Sequence, residues 1–329
     1  MTMKNDKARR IVVTGGSGFI GTHVVRKLTE LGADVISVSR SGDGPTQVSA
    51  DIGDRIAMEK VLRAGDVVIH LANSSNPTTS EGDRVRDARE NLIGTLELLE
   101  ACVEREIQGF VFASSGGTVY GVPEMTPIPE THPTNPVSSH GAMKVSIEKY
   151  VQVYSAEHGF GCVLLRCANA YGPGQTGLRG QGIIGRAILA ALGGEPLEIW
   201  GDGLVVRDFV FVEDVADALI RAAKSSLSRE TINIGMGQGT SLNEVVELVR
   251  RVTGRPLEVR YGAPRGFDVP VSVLDIRKAR ALLDWQPSTG LEEGVALSYA
   301  WAKSLGAAAM ALHAGQTAPR AGLEQSGRT

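Results

Sequence analysis

Between the β-branched run Ile11-Val12-Val13 and an amphipathic stretch that stops at Gly32 stands Thr14-Gly15-Gly16-Ser17-Gly18-Phe19-Ile20-Gly21. A strand, a glycine turn and a helix in immediate succession demand a chain that leaves a sheet and folds a helix straight back onto it. Gly15 permits the tight turn, Gly18 lets backbone amides approach an anion, and Gly21 lets helix and strand pack closely with the helix N-terminus facing that anion. A glycine pattern alone is weak evidence. In this strand–turn–helix context it points to a dinucleotide pyrophosphate more than to a purely structural turn.

The pattern that follows has the same logic. "ADVISVSR", "DVVIHLA", "GFVFASS" and "CVLLRCA" read as strands, with helical periodicity between them at "RDARENLIGTLELLEACVER" and "SSHGAMKVSIEKYVQVYSAEHG". Alternating strands and helices imply parallel pairing, hence an α/β fold of the Rossmann type, a doubly wound parallel sheet. After Tyr171-Gly172-Pro173 the elements shorten and Gly and Pro become more frequent. The expected division is a dinucleotide-binding domain over residues 1–172, with a segment returning to it near 204–224. A smaller C-terminal substrate-binding lobe is expected over 173–306 and a frayed tail over 307–329. A cleft between lobes, at the carboxyl ends of the strands, is where a ligand belongs.

The residue closing the second strand decides between NAD and NADP, because a carboxylate there binds the ribose 2'-hydroxyl and repels a 2'-phosphate. This chain has Ser39 and Arg40, a hydroxyl beside a guanidinium, which favours NADP. NAD stays open if Arg40 is a solvated loop residue near the adenine. Asp51-Ile52 can hold the adenine edge, or Asp51 can be an ordinary turn residue.

A net charge of -3 over 329 residues gives no general pull toward nucleic acid or anionic membranes and suits a small anionic ligand. The three cysteines form no C-x-x-C pair, and no apolar run reaches the roughly 18 residues of a membrane helix. A soluble protein of a reducing cytoplasm is the expectation. The six histidines lack metal-ligand spacing, so a catalytic metal has no sequence support.

Taken together, TGGSGFIG, HLA at 70–72, Asn91 in "ENLIGT", SSGGTVYG at 114–121, the Lys144 helix, "LLRCANAYGPGQ", "RDFVFVEDVADA" and "DIRKARALLDWQP" resemble the extended short-chain dehydrogenase/reductase family. The likeness is to its NAD(P)-dependent nucleotide-sugar epimerases and dehydratases, and it runs from about Arg10 to Lys303. It implies a cofactor held at Phe19, Ile20, Leu71, Ala72, Asn91, Ser114 and Lys144. It also implies a nucleotide-diphosphate sugar contacted by Ser115, Gly116 and Asn169, with Arg207 and Arg265 on the diphosphate, and a homodimer formed through helices 86–105 and 139–158. Trp200 reads either as a hydrophobic plug or as a wall for the base. The implied chemistry is epimerisation through a transient 4-keto sugar. An acidic pair after the strand-end Ser/Thr would mark a dehydratase, and Gly116 and Gly117 nearby lower that option.

Two positions depart from the family pattern. Gly116 stands where a Ser or Thr belongs, with Thr118 as a substitute, and His140 replaces the tyrosine base four residues before Lys144. A tyrosine needs its pKa of about 10 depressed before it can act as a base, whereas an imidazole near 6.5 is already largely neutral at pH 7. On taking a proton, however, imidazole becomes a cation beside Lys144. Imidazole is also shorter than phenol, so substrate or helix must sit nearer, or a water must relay the proton. His140 is therefore read either as the proton-exchanging group or as a polar filler. Its acidity when protonated keeps an NADPH-dependent ketosugar reductase in view, and the filler reading keeps a cofactor-binding sensor or partner protein in view.

Overall fold

The computed structural model describes residues 9–42, 46–175, 182–266 and 268–306, so the tail expected over 307–329 lies outside the described residues. The first half supplies β1 (Ile11–Thr14), β2 (Val35–Ser39), β3 (Gln47–Ser49), β4 (Val67–His70), β5 (Gly109–Ser115) and β6 (Gly161–Cys167). The second half supplies β7 (Asn169–Tyr171), β8 (Leu197–Trp200), β9 (Val206–Phe211), β10 (Glu230–Ile234), β11 (Gly239–Ser241), β12 (Val259–Gly262) and β13 (Val271–Ser272). Seven of these form one parallel sheet in the order β10-β6-β5-β4-β1-β2-β3. The chain winds outward from β1 in one direction and then from β4 in the other. A crevice opens between the ends of β1 and β4, and the glycine loop emerges there.

Both faces of the sheet are covered, which is why its strands are apolar throughout. Val24 and Leu28 of helix Phe19–Glu30 pack on one face with Val215, Ala218 and Leu219 of helix Val212–Lys224. On the other face lie Leu98 and Leu99 of helix Gly94–Glu104 and Met143, Ile147 and Val151 of helix Ser139–His158. The chain thus returns to the first lobe with helix 212–224 and again with β10, which pairs with β6. The second return was not foreseen in the expected 173–306 lobe. That lobe has its own core, in which Ile184 and Ile188 meet Phe209, Val245 and Val295. Around β9 gather β7, β11 and β13, while β8 pairs with β12. No described helix is long and apolar enough to cross a membrane.

Helix 139–158 begins where Ser138 accepts a hydrogen bond from the Gly141 amide and ends at Gly159 in the left-handed region, φ 81°. The expected helix over 86–105 starts at Arg84 and passes through a π-helical turn, Ala88–Ile93, before continuing as Gly94–Glu104. Beneath the crevice runs a buried polar chain. Thr95 Oγ1 donates to the Asn91 carbonyl (2.6 Å), so it can only accept from His70 Nε2 (3.0 Å), and His70 Nδ1 then accepts from Thr14 Oγ1 (2.7 Å). The ring stacks on Phe112 at 5.6 Å. These bonds fix one neutral tautomer and tie β1, β4 and helix 94–104 together.

Burial, and then the charge of Lys144, push the His70 pKa down from 6.5 to about 3. The folded-state value is the lower one, so the neutral ring's contribution is whole above pH 6.5 and is lost as the pH falls toward 3. His70→Gln keeps a donor and an acceptor without ionising and should flatten the fall in thermal stability across that window. An acid-side stability curve identical to that of the parent would assign the loss to other groups.

Candidate active site

Gly15 adopts φ +72°, and a Cβ there would lie 2.6 Å from the Ala72 amide nitrogen, so the loop rests directly on the Leu71–Ala72 backbone. A Cβ at Gly21 would lie 2.1 Å from the Gly15 carbonyl, so the close approach expected there between helix and strand is made between the helix and the turn. Gly18 differs, because its added Cβ would meet only the Gly15 carbonyl, at 3.1 Å. That side of the loop is open. No side chain caps the helix that starts at Phe19, and its first turn carries no acidic residue. Unsatisfied amides with no competing carboxylate suit a pyrophosphate.

Ser39 closes β2 half-buried, and Arg40 is exposed with its carbonyl accepting from Ser49 Oγ at 3.1 Å. No carboxylate ends this strand. Glu90 in the π-helical turn feels the Arg40 charge, which helps to lower its pKa after the larger effects of Arg86 and Ser74. Asp51 is exposed and turns back to accept from the Gly53 amide (2.9 Å), while Ile52 packs beside Gly94.

Two expected cofactor residues have side chains committed elsewhere. Asn91 is 2% exposed, accepts from the Ser74 amide (2.8 Å) and donates to Asp87 Oδ1 (2.7 Å). Its side chain therefore braces the loop after β4. Ser114 Oγ donates to Glu148 Oε1 at 2.5 Å, and Glu148 is paired with Arg166 (2.6 Å) in a buried ion pair. Arg166 in turn lies over Tyr120, whose hydroxyl donates to Asn233. Both Glu148 and Tyr120 are scaffold.

His140 and Lys144 project from one face of helix 139–158, each almost fully buried. Lys144 Nζ donates to the Ala113 carbonyl (3.1 Å) and stands 4.8 Å from the Phe112 ring centre, with two further N–H groups to offer. Burial pushes its pKa down to about 8, against the opposing influence of Cys167, Asp87 and Glu148. Burial first and Lys144 second push His140 down to about 4, while Asp87 works in the opposite direction. His140 Nδ1 and Thr118 Oγ1 are buried without a hydrogen-bond partner among the described residues. Gly141 brings them together: a Cβ there would lie 2.4 Å from the Thr118 carbonyl, so the helix sits closer to the 116–121 loop than any other residue allows.

A cleft with a cavity volume of about 380 Å³ joins this point to the second lobe. Phe19 and Ile20 border it, with Ser115, Gly117, Thr118, His140 and Asn169 at the helix end and Arg186, Arg207 and Arg265 farther along. Gly116 does not border it, because its missing side chain would point at Leu274, 2.5 Å away. Arg265 is paired with Asp268 (2.8 Å) and Arg207 reaches the same carboxylate at 3.7 Å. Arg186 escaped the sequence reading because it sits in a plain helical run, "GIIGRAILAAL". Burial lowers the pKa of both Arg186 and Arg207, and the nearby Arg265 adds to this. Three guanidiniums against the carboxylates of Asp268 and Glu198 leave an excess of positive charge facing the cleft. Trp200, 43% exposed, forms part of the wall. Among the described residues no cluster of His, Cys, Asp and Glu could hold a metal ion.

Residues 11–235 match the model of the NAD dependent epimerase/dehydratase family. The UDP-glucose 4-epimerase of Mycolicibacterium smegmatis is 35% identical over 301 residues, covering 87% of this chain and 96% of that protein. Among solved structures, UDP-glucose 4-epimerase from Thermotoga maritima with UDP-glucose superimposes with a TM-score of 0.86 at 37% identity, covering 90% of this chain and 99% of that one. The Thermus thermophilus UDP-glucose 4-epimerase complex with NAD gives 0.84 at 34%, covering 89% and 99%. A glycine loop left open for a pyrophosphate, a buried lysine at the strand ends and sequence likeness along nearly the whole described chain agree: the protein belongs to the NAD dependent epimerase/dehydratase family.

Proposed function

We propose that the protein is a nucleotide-sugar 4-epimerase in which His140 exchanges the proton of the sugar hydroxyl. The observation that carries this reading is the pair of unpartnered buried atoms, His140 Nδ1 and Thr118 Oγ1, at the end of a cleft whose far end holds three guanidiniums. Buried polar groups are normally satisfied, and a ring and a hydroxyl left open together beside a buried ammonium suit a hydroxylated ligand. The diphosphate lies at Arg186, Arg207 and Arg265, Trp200 walls the base, and Asn169 and Ser115 meet the sugar. The dinucleotide is held by the glycine loop and by Lys144, with Leu71 and Ala72 beneath it. When bound, its nicotinamide supplies the acceptor for the electrons that leave the sugar carbon. Thr118 orients the sugar hydroxyl and His140 takes and returns its proton. Ile93, Tyr150 and Val153 are exposed apolar residues on the expected self-association helices, and sedimentation as a dimer is the corresponding behaviour.

A ketosugar reductase is disfavoured by the electrostatics, because an imidazole held at about 4 is rarely a proton donor at neutral pH. Stoichiometric consumption of NADPH, with no interconversion of C4 epimers, would favour it nonetheless. For the dinucleotide, the absence of a carboxylate at the end of β2 and the exposed Arg40 favour NADP over NAD.

His140→Ala should lower epimerase turnover by roughly 10²- to 10⁴-fold while leaving dinucleotide affinity nearly intact. In the parent, activity should rise with pH as His140 loses its proton near 4. Turnover unaffected by His140→Ala rejects the base. Gly116→Ser should not restore a family-like site, because the new side chain collides with Leu274 and costs about 1–3 kcal/mol of stability in denaturant unfolding. Arg40→Ala should weaken NADP roughly tenfold and NAD little. Equal losses for both dinucleotides, by calorimetry, would place Arg40 away from the 2'-position.

A further inference from the structure

Helix 139–158 packs against the short helices Pro77–Gly82 and Arg84–Asp87, the π-helical turn Ala88–Ile93, helix Gly94–Glu104 and strands β5 and β6. These elements present few ionisable groups to His140 and Lys144, and most are already engaged. Glu148 is bound to Arg166, and Glu81 to Arg84 and the Ser139 amide, each at 2.6 Å. Burial pushes the Cys167 thiol up to about 12, so it stays neutral.

Asp87 is the exception. Its carboxylate is 4% exposed and accepts from Ser75 Oγ (2.5 Å), Asn91 Nδ2 (2.7 Å) and Ser80 Oγ, yet among the described residues it enters no ion pair. Lys144 enters none either. Two opposite charges are therefore buried without direct pairing, an arrangement proteins usually avoid because each must then bear its own desolvation. Both act on His140, in opposite directions. Protonating His140 adds a positive charge beside Lys144 and, at Nδ1, leaves any N–H without an acceptor among the described residues. Some negative charge nearby has to offset this.

We propose that Asp87 is a positioning residue of the reaction, whose carboxylate, aimed by Ser75, Ser80 and Asn91, offsets Lys144 so that His140 can accept the proton of the sugar hydroxyl. In that step the substrate O–H bond breaks, an N–H bond forms on the imidazole, and the electron pair stays on the oxygen. Asp87 itself gains and loses nothing. It acts by its charge, and the hydroxyls of Ser75 and Ser80 hold it where the charge is felt. The inference rests on His140 as the proton-exchanging group.

The test is the titration of isotope-labelled His140 by NMR in the full chain carrying Lys144→Met, where loss of the ammonium raises the transition into an accessible range. Adding Asp87→Asn should move that transition down by about one pH unit. Turnover of the single variant Asp87→Asn should fall roughly tenfold, with no further fall when the same change is added to His140→Ala. A His140 transition that does not move in the folded variant overturns the proposal, as does an equal loss in both backgrounds. Should Asp87→Asn not fold, Asp87→Ser carries the same reading; failure of both to fold assigns the carboxylate to the scaffold and overturns it. A shifted transition together with turnover indifferent to His140→Ala retains the field of Asp87 and overturns the base instead.

Discussion

The site depends on the buried contact between Glu148 and Arg166. Arg166 belongs to β6, Glu148 to the helix that carries His140 and Lys144, and Ser114 at the end of β5 completes the carboxylate's coordination at 2.5 Å. Burying two charges has a desolvation cost that their attraction only partly repays, so such a pair is weak evidence for stability as such. Breaking one is another matter, because the remaining charge is stranded; the typical penalty is about 3–5 kcal/mol. What the pair supplies is register. A helix held to the sheet by apolar contacts alone could slide or rotate by a fraction of a turn, whereas a bidentate fork fixes Glu148, and with it Lys144 one turn earlier and His140 one turn before that.

Local grammar made the first half of the molecule readable. The turn chemistry of Gly15, the close approach at Gly21 and the four-residue spacing of His140 and Lys144 are properties of short segments, and so are the helix limits 139–158 set by Ser138 and Gly159. Side-chain direction is not local. Asn91 and Ser114 stand at positions from which either the crevice or the protein interior can be faced, and the choice was made by Ser74, Asp87 and Glu148, distant in sequence or unremarkable in it. The π-helical turn at Ala88–Ile93 adds a further rotation that periodicity does not disclose, and such turns often occur at functional sites. Arg186 carries no motif at all and is recognisable only once the second lobe has placed it beside Arg265. β10 was missed for a similar reason, since five residues joining a sheet edge after a long excursion leave no pattern of their own.

In the proposed reaction an imidazole at position 140 takes the part of a phenol, and the two groups differ in both shape and charge. As to shape, Gly141 admits the helix to within a distance of the Thr118 carbonyl that no Cβ tolerates. As to charge, a tyrosinate that accepts a proton loses a negative charge next to a lysine, while an imidazole gains a positive one, so the same ammonium that assists the first opposes the second. At 4 Å the difference between such charges is about 1 kcal/mol in water and about 4 at an effective dielectric of 20, enough to move a titration by whole units. A base on this helix therefore needs a negative charge that is not already neutralised by direct pairing. Glu148 is consumed by Arg166 and Glu81 by Arg84. Asp87 accepts from two hydroxyls and an amide and enters no ion pair among the described residues, which is why the proposed proton exchange at His140 turns to it.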